Sequence, residues 1–119
     1  MEDQVLSVEK MQELIELGID TNKASMCWWE KMLNDYMLLI NDSRNDSRND
    51  ISWVLPAFTL QDILEILQMH RVCLCYEDGW YAEKWNKETN LLDYCTEQYE
   101  KPIDAAFHML KWCKENDYL

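Results

Sequence analysis

The sequence predicts an α+β fold in which an antiparallel sheet of about four to six strands carries three helices, packed mainly on one face. Three amphipathic segments with capping signals indicate the helices, and short alternating segments between polar turns indicate the strands. Helices gathered on one side of an antiparallel sheet bury both kinds of apolar pattern. With 119 residues, the chain is expected to form one domain spanning residues 1–119.

The strongest local signal is a helix that follows Pro56. Thr59 is placed to cap it, and Asp62, three residues later, is placed to bond back to the amide of Thr59, which is the pattern of a capping box. Phe58 before the cap and Ile63 at the fourth helical position form a predicted hydrophobic staple. The helix is expected to end near residues 68–70. Its apolar stripe consists of Leu60, Ile63, Leu64 and Leu67.

The chain before this helix predicts a first helix and a hairpin. Ser7 is a suitable cap for the helix, and Gly18 is a suitable ending because glycine adopts the left-handed conformation without strain. Residues 26–32 then form a predicted strand and residues 36–40 its hairpin partner. A further extended segment, residues 51–55, is expected to return to the sheet and to end at Pro56.

Residues 41–50 read Asn-Asp-Ser-Arg twice, followed by Asn-Asp. The repeat has no apolar side chain, so we expect a solvated loop inserted into the domain. Its Asp and Asn oxygens suggest a calcium site, but the segment lacks the glycine and the closing glutamate of an EF-hand loop. We therefore predict a plain polar loop insertion.

The second half predicts a strand meander and a last helix. Residues 71–76 are apolar on both faces, which favours a central strand. Asp78-Gly79 is a hairpin turn signal, residues 80–85 form the return strand, and residues 91–98 form a predicted edge strand. Pro102 suits the first helical position of the last helix, and Asn116 is expected to adopt its left-handed cap. Tyr118 and Leu119 are expected to fold back onto that helix.

The charge balance limits the classes of partner. The chain has 23 acidic and 11 basic residues, a net charge of −12. Such a surface repels nucleic acid and anionic membranes and attracts basic proteins. The simpler reading is that the charge serves solubility. Because of this repulsion, we expect no direct binding of nucleic acid. No apolar segment approaches the length of a membrane span, so we expect no membrane partner either.

The cysteines predict reduced thiols rather than a framework of disulfides. Their number is odd, no Cys-x-x-Cys pair occurs, and no signal peptide is recognised, so we expect a cytoplasmic protein. A thiol enzyme that pairs Cys73 or Cys113 with His70 or His108 is one alternative, but small buried thiols are the commoner use of cysteine. We predict no catalytic residue, no metal and no cofactor. The five cysteines are Cys27, Cys73, Cys75, Cys95 and Cys113.

The aromatic residues on the predicted strands are the best candidates for a binding surface. Tryptophan and tyrosine dominate binding hot spots, and an exposed aromatic sheet face also suits stacking of a base or a small ring. The competing interpretation is a sheet whose inner face is filled by aromatic core residues. Six such residues, with Trp53 and Tyr81 among them, lie on three of the predicted strands. The candidate binding residues are Trp28, Trp29, Trp80 and Trp85, with the acidic neighbours Glu77 and Asp78.

Several segments resemble a family of small uncharacterised proteins encoded by gut bacteria and by their phages and mobile elements. The segments are residues 17–28, 56–64 and 104–116, and residues 116–118 read Asn-Asp-Tyr where the family tends to have Asn-Gly-Tyr. The resemblance covers most of the chain outside residues 41–50. The family has no established activity, so the resemblance implies no catalytic residue. It implies a setting, namely an accessory protein of a phage or mobile element.

These observations lead to two functional hypotheses. The first is a small acidic protein that binds a basic protein, as a nucleic-acid-mimicking inhibitor of a host defence or nucleic-acid-binding protein does. The second is a domain that binds a small ligand or nucleotide on an aromatic sheet face. Both place the protein in the cytoplasm of a bacterial or phage-infected cell, and neither sets its oligomeric state.

Overall fold

The computed structural model describes residues 4–32, 35–40 and 54–119. The predicted loop at residues 41–50 and Trp53 lie outside the described residues. Contacts divide the chain into two compact units, Met1–Asp62 and Ile63–Leu119, here called unit 1 and unit 2. Each unit is described by itself, and the prediction of one domain over residues 1–119 stays a prediction.

The described residues form three helices and six strands, which confirms the α+β class. The strands make two antiparallel sheets of three strands each, in the orders β2-β1-β3 and β4-β5-β6, rather than one sheet of four to six. No helix in the described part of the chain has the length and apolar character that a membrane crossing requires. The elements are α1 (Val8–Glu16), β1 (Met26–Met32), β2 (Asp35–Ile40), β3 (Val54–Ala57), α2 (Leu60–Leu67) with a 3₁₀ turn (Gln68–His70), β4 (Val72–Tyr76), β5 (Trp80–Trp85), β6 (Leu92–Cys95) and α3 (Pro102–Glu115).

The sheet of unit 1 is built around β1. Trp28 lies opposite Leu38 of β2 and Leu55 of β3, and it is buried in a core with Val5 and Ala57. Helix α1 contacts β3. The strand β3 continues through Pro56 instead of ending there, because an edge strand tolerates a residue without an N–H.

The capping signals in unit 1 are confirmed. The hydroxyl of Ser7 accepts a bond from the N–H of Lys10 at 3.3 Å. At the other end of α1, Gly18 has φ 86°, and the N–H of Ile19 donates to Leu14 O at 3.1 Å. This is the Schellman ending, in which glycine relieves the strain of the left-handed residue.

The capping box of α2 is also confirmed. The Asp62 N–H donates to Thr59 Oγ1 at 3.1 Å, and the Thr59 N–H donates to Asp62 Oδ2 at 2.9 Å. Asp62 is buried, and it also accepts bonds from the N–H and the hydroxyl of Ser25, at 2.9 and 2.5 Å. One carboxylate therefore fixes both the start of the helix and a segment 37 residues earlier in the chain.

The sheet of unit 2 is built around β5, so the prediction that residues 71–76 form the central strand is wrong. The strand β4 lies at the edge, where Cys73 is exposed. Helix α3 contacts β5 and β4, and Tyr94 of β6 stacks on Trp112 of α3 with ring centroids 4.5 Å apart. An apolar strand sequence alone did not distinguish an edge strand from a central one.

Helix α3 begins at Pro102 as predicted, but its left-handed residue is Asp117 rather than Asn116. Asp117 has φ 64°, whereas Asn116 has φ −107°. The N–H of Tyr118 donates to Cys113 O at 2.8 Å, so Tyr118 folds back onto the helix as expected. The Tyr118 ring also stacks on Trp112, with ring centroids 5.6 Å apart.

Candidate functional site

The hairpin between β4 and β5 carries three of the candidate binding residues. Glu77, Asp78 and Gly79 connect Tyr76 to Trp80, which face each other across the hairpin. A side chain at residue 79 would bring its Cβ within 3.0 Å of the Cβ of Gln98, so only glycine fits without a shift. We call residues 76–80 the hairpin tip.

A second contact holds the hairpin tip from the side. The N–H of Trp80 donates to Tyr99 O at 2.7 Å, and the N–H of Tyr99 donates to Trp80 O at 2.8 Å. The Glu77 N–H also donates to Gly79 O at 3.0 Å. A binding surface on this hairpin is therefore preorganised, which reduces the entropy lost on binding.

The surface of the hairpin tip combines aromatic rings with carboxylates. Tyr76 is 66% exposed, and its ring is tilted by 60° against that of Trp80 at a centroid distance of 5.1 Å. Glu77 and Asp78 are exposed beside it, and Asp78 has φ 59°. Aromatic faces and carboxylates both attract cations. The arrangement suits a lysine or arginine side chain of another molecule.

The two tryptophans of β1 point to opposite faces of their strand. Trp28 is 8% exposed, and its Nε1 donates to Leu6 O at 2.9 Å. Trp29 is half-buried, and its enclosed Nε1 has no hydrogen-bond partner among the described residues. The outer edge of Trp28 borders a cleft of about 440 Å³ lined also by Ser7, Val8, Glu9, Gln12 and Tyr36.

The two tryptophans of β5 are likewise separated. Trp80 belongs to the hairpin tip, and Trp85 lies five residues later, half-buried and paired with Leu92. Alternation along a strand places the two rings on opposite faces. Within each unit, therefore, the two predicted tryptophans do not form one stacking platform. Tyr76 was missed from the sequence, although its position across the hairpin from Trp80 was readable from the Asp-Gly turn.

Three thiols of unit 2, those of Cys75, Cys95 and Cys113, have pKa values that favour the protonated form. The Cys75 thiol donates to Glu83 Oε1 at 3.2 Å, and burial followed by this contact raises the pKa of Cys75 to about 11. Burial raises the pKa of Cys113 to about 11 as well, and it raises the pKa of Cys95. A nucleophilic cysteine requires the opposite shift. No three His, Cys, Asp or Glu side chains within the described ranges converge as a metal site would require.

Unit 2 contains a pocket that the sequence did not indicate. It has a volume of about 310 Å³ and brings together the two strands β5 and β6, the turn between them and the C-terminus. We call it the Lys84 pocket after a lining residue, Lys84, which is a buried charged residue and only 4% exposed. Because side chains alternate between the two faces of a strand, the sequence of β5 could have predicted that Lys84 lies on the core face. The lining residues are His70, Lys84, Asn86, Lys87, Glu88, Asp93 and Tyr118.

The field inside the Lys84 pocket is positive at His70. Burial lowers the pKa of His70, and the ammonium groups of Lys84 and Lys87 lower it further. The imidazole is therefore biased toward its neutral form, even though the sequence placed it at a helix end that favours a positive charge. The pocket is also lined by the carboxylates of Glu88 and Asp93, so the positive field is local to His70.

Comparisons of the chain with protein families, with curated proteins and with solved structures give no match in any of the three. The resemblance to small proteins of gut bacteria and their phages therefore stays a prediction that rests on the sequence segments named above.

Proposed function

We propose that the protein is a small acidic accessory protein, of the kind encoded by phages and mobile elements, that binds a basic protein partner in the cytoplasm of its host cell. The observation that carries the proposal is the hairpin tip. It offers the exposed ring of Tyr76 beside the carboxylates of Glu77 and Asp78 on a hairpin fixed by the bonds between Trp80 and Tyr99. Exposed aromatic residues on a rigid element are typical of binding hot spots.

The charge of the chain supports the same partner class. Helix α1 exposes Glu9, Glu13 and Glu16 on its outer side, and their spacing of four and three residues places them on one face. Together with the net charge of −12, this face adds to a negative field that accelerates association with a positively charged surface. A host protein with a basic nucleic-acid-binding cleft is the partner that fits, because that cleft already accepts a row of negative charges. In this proposal the protein inhibits by occupying the cleft.

Capture from host lysate tests the proposal. The wild-type chain is compared with a hairpin-tip variant that combines Tyr76→Ser, Glu77→Gln and Asp78→Asn. We expect the wild type to retain a basic protein at low salt and to release it as salt rises or as duplex DNA is added. The hairpin-tip variant is expected to lose this partner.

The matched control is the double variant Glu97→Gln, Glu100→Gln, which removes the same number of charges from exposed positions in the same unit. It is expected to retain the partner. Recovery of abundant chaperones only, at low and moderate salt alike, contradicts the proposal. Equal capture by the hairpin-tip variant and the wild type contradicts the role of Tyr76, Glu77 and Asp78.

A further inference from the structure

The ammonium group of Lys84 is buried, and its contacts, including an ion pair with Asp93, are long. Its side chain is 5% exposed, and the distances from Nζ are 3.4 Å to Asp93 Oδ2 and 3.4 Å to Trp85 O. The Tyr118 ring centroid lies 4.1 Å away. A charge-assisted hydrogen bond usually measures about 2.7–2.9 Å. The ammonium therefore has the capacity to bind a closer acceptor in the pocket.

The turn after β5 supplies two more donors. Asn86 Oδ1 accepts from the N–H groups of Glu88 and Thr89, at 2.8 and 3.1 Å. Because only the oxygen of the amide can accept, these bonds fix the orientation of the side chain and leave its NH₂ group as a donor. Lys87, in the same turn, is exposed and lines the same pocket.

The remaining lining residues define what else the ligand must carry. Asp93 and Glu88 are hydrogen-bond acceptors, which suit hydroxyl groups on a ligand. Tyr118 is 39% exposed, and its ring gives an apolar wall. A volume of about 310 Å³ is at the lower end of the range for ligand pockets. The pocket therefore fits a small molecule rather than a polymer.

We propose that the Lys84 pocket binds a small phosphate monoester that carries hydroxyl groups, such as a phosphorylated sugar. Lys84, Lys87 and the Asn86 amide bind the phosphate, and the organic part lies between Tyr118 and the two carboxylates. The two ammonium groups that lower the pKa of His70 provide the attraction. The site is independent of the hairpin tip and of the partner proposed for it.

Nuclear magnetic resonance of the full chain tests the site, with ribose 5-phosphate as the probe and ribose as its neutral control. A bound phosphate stabilises the protonated imidazole, so the pKa of His70 is expected to rise when ribose 5-phosphate saturates the pocket. His108, which stacks on Tyr99 and does not line the pocket, is the internal reference and is expected to keep its titration curve. An equal response to ribose overturns the proposal, and so does an unchanged His70 at millimolar ribose 5-phosphate.

Three variants locate the binding. Lys87→Met is expected to weaken binding about tenfold, the effect of losing one charge-assisted hydrogen bond, and Lys84→Met to abolish it. The control Lys23→Met removes an exposed lysine of unit 1 and is expected to leave the affinity unchanged. Because Lys87 is exposed, its replacement tests the site even if Lys84→Met fails to fold. Wild-type affinity in Lys87→Met overturns the assignment.

Discussion

The two sheets that the structure describes bury different kinds of side chain on their central strands. In unit 1, β1 buries the indole of Trp28, and its single polar atom donates to Leu6 O at 2.9 Å. In unit 2, β5 buries the ammonium of Lys84, whose two oxygen contacts both measure 3.4 Å. The indole is apolar apart from one satisfied donor, whereas the lysine is a charge that remains loosely bound.

This difference separates a structural role from a binding role. Burying an indole with a satisfied N–H stabilises the fold through apolar area. Burying a charge costs free energy that distant partners compensate incompletely. We therefore assign Trp28 a role in stability. The burial of Lys84 is explained by the ligand that we propose for its pocket.

Replacement of Trp28 is expected to have the largest effect on stability. Trp28→Ala removes a large buried ring and should lower the free energy of unfolding by about 3–5 kcal/mol, measured by urea denaturation. Trp28→Phe keeps most of the apolar area but leaves Leu6 O without its donor. Trp29→Phe is the matched control, because the Trp29 Nε1 donates no hydrogen bond within the described part of the chain. If Trp29→Phe lowered the free energy of unfolding more than Trp28→Phe does, the structural role that we assign to the Trp28 indole would be contradicted.

Replacement of Lys84 is expected to have a much smaller effect, although its side chain is at least as buried as that of Trp28. Lys84→Met keeps most of the length of the side chain and removes the buried charge, and Asp93 remains accessible to water. We expect a change of no more than about 1 kcal/mol in the free energy of unfolding, and in either direction. A loss comparable to that of Trp28→Ala, in the same urea experiment, would assign Lys84 a structural role.

The ends of the helices offer the smallest test. Helix α1 ends with Gly18 at φ 86°, and α3 ends with Asp117 at φ 64°. Asp117→Gly is expected to raise the free energy of unfolding, measured by thermal denaturation, by about 0.5–1 kcal/mol. Glycine relieves the strain of the left-handed conformation, and the substitution removes a negative charge from the helix C-terminus. Gly18→Asp is the reciprocal control and is expected to lower the free energy of unfolding. If Asp117→Gly lowered the stability instead, the Asp117 side chain would have to make a contact that outweighs the left-handed strain and the unfavourable charge.

Local signals in the sequence predicted most of the elements correctly. Ser7, Thr59 and Asp62 cap their helices as expected, and Pro102 begins α3. These features depend on atoms within a few residues of one another, so the sequence contains all the information they need. The hairpin tip was predicted for the same reason, through Glu77, Asp78 and Trp80.

Features that depend on distant partners were predicted less well. Residues 71–76 have two apolar faces, yet β4 is an edge strand, because the pairing of β5 with β6 leaves β4 one neighbour among the described strands. The left-handed residue of α3 is one position later than expected, since Asp117 rather than Asn116 allows Tyr118 to reach Cys113 O and the ring of Trp112.

The amino-acid order alone determined the α+β class, the starts of the helices, the hairpin turn at Asp78-Gly79 and the excess of negative charge, because each follows from composition or from neighbours in the chain. Only the tertiary structure decided that the described strands form two sheets, that the ring of Tyr76 packs against that of Trp80, and that Lys84 and His70 line one pocket. These depend on which remote segments pack together, and packing is selected by the total area and charge buried rather than by any one segment.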